Sequence, residues 1–150
     1  FGTVEIRVCD TPLGIERGAA LAALAQSMAR WLLRTRPALH TERQSHVARY
    51  NKFQACRYGM AAMIADPVAL TRRPLAEIIN DLLDILAEDA AELGCAKWLE
   101  TLRPLPGAPE SDAAWLREQH KQYGNLHDVV RAAAERLTLC PENSPLEIAR

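Results

Sequence analysis

Glu5 and Arg7 stand two residues apart in a stretch, 3–9, whose apolar and polar residues alternate. In an extended strand such residues leave the same face about 7 Å apart, while Val4, Ile6 and Val8 take the other face. A carboxylate beside a guanidinium on the open face of a sheet suits phosphoryl transfer. The carboxylate can hold Mg²⁺, and the guanidinium can neutralise charge on a transferring phosphate or hold a substrate carboxylate. The same pair also serves as a plain cross-strand ion pair on a solvated face. On Glu-x-Arg spacing alone the ion pair is the favoured reading.

The elements around this strand read as helices. Ala and Leu dominate, β-branched runs are scarce, and aromatic residues make up only 5% of the chain, a composition that favours helix over sandwich or barrel. Periodicity and end signals predict helices at about 12–36, 41–64, 75–93, 96–102, 111–123 and 126–138, followed by a tail at 139–150. Thr11 and Thr41 are the expected N-caps of the first two helices, and Ser111 and Asn125 of the last two. Gly59 is expected to end or bend the second helix, and Gly94 and Gly124 to close the third and fifth. The predicted apolar stripes are Leu21, Leu24, Met28, Trp31 and Leu32 in the first helix and Leu126, Val129, Val130, Ala133 and Leu137 in the last. The fold class is mostly α: a helical bundle with one N-terminal β-strand. A lone strand leaves its backbone donors and acceptors without a ladder. Its expected partner is a missing N-terminal part of the same polypeptide, or a second copy in a homo-oligomer.

Composition narrows the function classes. The 150 residues carry a net charge of −1, too little to steer the chain to nucleic acid or anionic lipid. No apolar stretch approaches the roughly 20 residues of a membrane span. No signal peptide is visible, so a cytoplasmic location is expected. Cys9, Cys56, Cys95 and Cys140 lack zinc-site spacing and read as reduced, buried small residues. His40, His46, His120 and His127 read as surface or loop residues, and Trp31, Trp98 and Trp115 as core. The acidic run Glu77, Asp81, Asp84, Glu88, Asp89 and Glu92 reads as a solvated helix face. No Gly-rich phosphate loop appears.

Three stretches carry a resemblance. Gly2-Thr3-Val4-Glu5-Ile6-Arg7-Val8-Cys9-Asp10-Thr11-Pro12 resembles a strand of the glutamate–cysteine ligase type 2 family of carboxylate–amine ligases, and a related Glu-x-Arg strand occurs in glutamine synthetases. Tyr50-Asn51-Lys52-Phe53-Gln54-Ala55-Cys56-Arg57-Tyr58-Gly59 is similar to a second family stretch, with Lys52 and Phe53 in place of the usual Arg and Trp. A looser likeness covers 111–130, where a helix breaks at Gly124-Asn125-Leu126.

The resemblance implies the C-terminal part of an α+β, glutamine-synthetase-like parent, with helices covering one face of an antiparallel sheet. It implies ATP-dependent phosphorylation of a glutamate γ-carboxylate and attack by an amine such as cysteine on the acyl phosphate, with Mg²⁺ managing charge. Carried over, Glu5 is a metal ligand and Arg7 a catalytic clamp on phosphate or substrate carboxylate. Asn51 and Arg57 are substrate-binding candidates that either line the site or hold the strand from behind. ATP and Mg²⁺ belong to the complete enzyme. Neither is expected to bind tightly to these 150 residues, which are expected to be inactive alone. The rival expectation is a non-catalytic helical interaction or dimerisation module.

Overall fold

The computed structural model describes residues 5, 6, 9, 11–37, 42–103 and 111–138. Among these residues six helices and one small antiparallel hairpin make a mostly α architecture. Their order is α1 (Ile15–Thr35), α2 (Glu42–Tyr58), a 3₁₀ turn (Gly59–Ala61), β1 (Met63–Ala65), β2 (Arg72–Pro74), α3 (Leu75–Glu92), α4 (Ala96–Glu100), α5 (Asp112–Tyr123) and α6 (Leu126–Thr138).

The core forms where α1, α3 and α4 meet. Ala23, Leu83, Leu86, Ala90, Cys95 and Leu99 are buried together, with Leu24, Trp31, Ile79, Leu82 and Trp98 packed around them. Leu83, Leu86, Ala90 and, nearby, Leu82 fall at i, i+3/i+4 and i+7 spacing, which lines one side of α3. On α1 the buried positions are Ala20, Ala23 and Ser27, whereas Met28 and Leu32 are exposed. The packed stripe is therefore turned from the one predicted. Small side chains let α1 approach α3 closely, and larger neighbours flank the contact. On α6, Val129 is buried while Leu126, Val130 and Leu137 are exposed.

Helix ends follow local chemistry. Gly94 (φ 68°) and Gly124 (φ 70°) adopt the left-handed conformation that closes α3 and α5. The Ser111 hydroxyl accepts from the Ala114 amide at 3.3 Å, and Asn125 Oδ1 accepts from the Asp128 amide at 3.0 Å, so both cap as expected. Thr11 does not cap α1. The N-cap is Gly14, in extended backbone. The Leu13 amide instead donates to Asp112 Oδ2 at 3.2 Å, which draws the preceding residues out of the first turn and ties α1 to the start of α5. Thr41 lies outside the described residues.

The hairpin was not expected. The helix predicted to reach residue 64 stops at Tyr58, because Gly59 adopts φ 55° and the chain tightens into a 3₁₀ turn. Met63, Ile64 and Ala65 then pair with Pro74, Arg73 and Arg72. Of the strand predicted at 3–9, Glu5, Ile6 and Cys9 are described. All are exposed and outside any strand, while Arg7 and the others lie outside the described residues. Cys9 and Cys56 are exposed, against expectation, and Cys95 is buried. Among the described residues no helix is long and apolar enough to cross a membrane.

Candidate functional site

Asn51 fixes the hairpin to α2. Asn51 Nδ2 donates to the Ala65 carbonyl and Asn51 Oδ1 accepts from the Ala65 amide, each at 2.9 Å. A primary amide with one donor end and one acceptor end can satisfy both backbone groups of a single residue. Asparagine thus completes the strand edge as a second strand would. The orientation of its amide follows from the bonding, since the Ala65 N–H must meet an oxygen.

Arg72 lies directly across from Ala65 in the ladder. Its guanidinium carbon sits 5.6 Å from the centre of the Tyr50 ring, within the roughly 6 Å reach of a cation–π contact. Tyr50 precedes Asn51 on α2, so clamp and aromatic support come from adjacent residues. Arg73 turns the other way, as alternation along a strand requires. It meets Asp81 at 2.6 Å and Glu77 at 3.4 Å on α3. These acids hold the Arg73 pKa above its usual range, mainly through the Asp81 hydrogen bond.

The connection between the strands is built with equal care. Asp66 accepts from the amides of Val68 and Ala69 at 2.7 and 2.9 Å, which holds its carboxyl below the ordinary carboxylate range. Leu70 takes φ 57°, a left-handed conformation uncommon for a bulky side chain. Its amide donates to the Asp66 carbonyl at 3.1 Å.

The predicted site residues do not converge as a group among the described residues. Glu5 is exposed, Arg7 lies outside the described residues, and Arg57 is exposed near the end of α2. Asn51 and Arg57 share α2 but lie about 120° apart around its axis. Arg57 shares its stripe with Tyr50 instead. Among the described residues no three His, Cys, Asp or Glu side chains converge as a group that could hold a metal ion.

A second polar cluster lies toward the C-terminal end of α3. Asp89 is 1% exposed, and Arg34 donates to it through Nε at 3.2 Å and through a terminal nitrogen at 2.8 Å. Arg30 approaches it at 3.4 Å and also meets Glu92 at 3.2 Å. The Arg34 hydrogen bonds, then the charges of Arg34 and Arg30, lower the Asp89 pKa against the opposing effect of burial. Asp89 therefore does not belong to the solvated face predicted for it. It is the buried acid that locks α1 to α3.

Comparison with known proteins places these residues in a lineage. The family model for glutamate-cysteine ligase family 2 matches residues 1–132. The chain belongs to that family. Its glutamate–cysteine ligase family 2 relatives include a protein of Dechloromonas aromatica, 64% identical over 137 residues, which cover 91% of this chain and 36% of that protein. Proteins of Verminephrobacter eiseniae and Ralstonia pickettii are 45% and 41% identical, over 91% and 92% of this chain and 36% and 37% of their own lengths. All three are provisionally named glutamate–cysteine ligase 2. The chain thus spans a little over a third of the family relatives it matches. Within this family member, sequence reasoning singled out Asn51 but missed its partner Ala65, and missed Arg72, Tyr50 and Asp89. Tyr50 lay inside the quoted family stretch, and Asp89 stood three residues after Leu86 on the buried stripe. Both signals were available.

Proposed function

We propose that the chain is the helical C-terminal part of an ATP-dependent carboxylate–amine ligase. The complete enzyme transfers the terminal phosphate of ATP to the side-chain carboxylate of glutamate. An amine such as that of cysteine then attacks the acyl phosphate, forming the amide and releasing phosphate. The observation that carries this reading is the family match over residues 1–132, which takes in Glu5, Arg7, Asn51 and Arg57 together.

In this reading the chain supplies cations and framework, and the nucleotide-binding residues and most metal ligands come from the rest of the polypeptide. Arg7 and Arg57 bring positive charge to anionic groups, which lowers the cost of gathering carboxylate and phosphate in one place. Asn51 holds the hairpin against α2. Glu5 contributes one carboxylate to a Mg²⁺ shell completed by ligands from outside these 150 residues. The chain alone is accordingly inactive.

The test uses the complete polypeptide. Phosphate release that depends on both ATP and glutamate is expected, and Glu5→Gln is expected to abolish it. Release indifferent to Glu5→Gln overturns the role of Glu5. No release from the unmodified protein, with any amine offered, overturns the ligase reading.

A further inference from the structure

Two neighbouring arginines on β2 meet opposite fates. Arg73 is saturated by Asp81 and Glu77. Arg72 is held over the Tyr50 ring, and among the described residues no carboxylate pairs with it. An arginine that rests on a ring keeps its N–H edge available, and that edge has the fork geometry that matches a carboxylate or phosphate. From this we infer that Arg72 is an anion-binding residue of the ligase site, taking a carboxylate or phosphate group of a substrate. The inference rests on the ligase reading for the identity of the substrates.

Three independent features support it. The first is preorganisation. Arg72 sits opposite Ala65, both of whose backbone groups are clamped by Asn51, and its ring support comes from the residue next to that clamp. A guanidinium held this way loses little freedom on binding, which is where affinity is otherwise lost. The second is charge. Arg57 occupies the same stripe of α2 as Tyr50, two turns further and about 10 Å along the axis. The Tyr50 side of α2 therefore carries two cations, Arg72 over the Tyr50 ring and Arg57 two turns further along. The third is the contrast with Arg73. Glu77 and Asp81 lie on α3, against the opposite side of β2, and Arg73 spends them. The hairpin so keeps these acids away from Arg72.

The experiment measures steady-state kinetics of the complete polypeptide with glutamate and ATP varied separately. Replacing a bidentate charged contact is expected to weaken binding about tenfold or more. Arg72→Gln should therefore raise one of the two KM values by that factor while kcat stays within about threefold. A raised glutamate KM assigns the anion to the substrate carboxylate, and a raised ATP KM assigns it to the polyphosphate. Arg72→Lys should recover little, because a point charge does not reproduce the fork. Tyr50→Leu should give a smaller change in the same KM. Arg73→Gln should lower thermal stability and leave both KM values alone. If Arg72→Gln leaves both KM values within about twofold, the inference is wrong and the ligase reading stands. If the complete polypeptide releases no phosphate, the ligase reading fails first. Titration calorimetry of the complete polypeptide with inorganic pyrophosphate and with glutarate then decides the role of Arg72. Binding weakened by Arg72→Gln upholds it, and no binding, or binding indifferent to the change, overturns it.

Discussion

Asn51→Ala removes both hydrogen bonds that hold Ala65 to α2 and leaves one edge of a half-buried strand unsatisfied at Ala65. Each bond contributes about 1 kcal/mol net, so the pair is worth about 2 kcal/mol. The hairpin is small and the core of α1, α3 and α4 does not depend on it, so the cost should fall on local opening. By the usual conversion about 2 kcal/mol is close to thirtyfold, and the Ala65 amide should exchange with solvent faster by that factor. Amides near Leu86, in the core, should keep their protection. Amide exchange followed by NMR or mass spectrometry reads both sets at once. Asn51→Asp sharpens the test. A carboxylate can still accept from the Ala65 amide, but it repels the Ala65 carbonyl to which Asn51 donates. Protonation restores a donor, so folding raises the pKa of the introduced acid above its unfolded value. Hairpin protection is then recovered as pH falls through the raised value and is lost as pH rises above it. Equal Ala65 exchange in the wild type and Asn51→Ala, or an Asn51→Asp variant whose protection ignores pH, refutes the clamp.

Two further predictions concern the helical core. The Asp89 pKa is depressed by Arg34 and Arg30, so its contribution to stability is complete above the ordinary carboxylate range and is lost as pH falls through the depressed value. Asp89→Asn should therefore melt lower than wild type at neutral pH and show a flatter fall in Tm on acidification; equal acid slopes would show that Asp89 carries no such linkage. Leu86 is fully buried, and Leu86→Ala should cost about 2–5 kcal/mol in urea unfolding. A cost below about 1 kcal/mol would mean that α1, α3 and α4 do not share one packed core.

What could be read from the chain divides by length of signal. Helix α3 runs Leu75–Glu92, almost as its repeating leucines predict, and Gly94, Gly124, Ser111 and Asn125 act at the ends where they were expected. Each of these features is local, set by one turn of backbone and one side chain. The hairpin escaped because its strands are three residues each, too short for alternation to register. Their pairing depends on Asn51, which is remote in sequence and whose donor and acceptor ends cannot be anticipated from composition. Asp89 escaped for the opposite reason. Its position on the buried stripe was legible, but a carboxylate there is tolerable only with Arg34 and Arg30 opposite, and those come from another helix. Of the candidate site, the family stretch pointed to Asn51 and Arg57. Arg72 became visible only when Tyr50 was found beneath it.

Pro74 is at once the last residue of β2 and the N-cap of α3, with φ −55° and no intervening loop. A proline ring fixes that torsion near this value, which stiffens the junction of strand and helix. A tilt of α3 against α1 is therefore passed on to the hairpin and to the guanidinium two residues upstream. Changes at Leu86 or Asp89, far from any substrate, should register in the placement of Arg72. Adding slack between residues 74 and 75 should cut that transmission while sparing the packed helices.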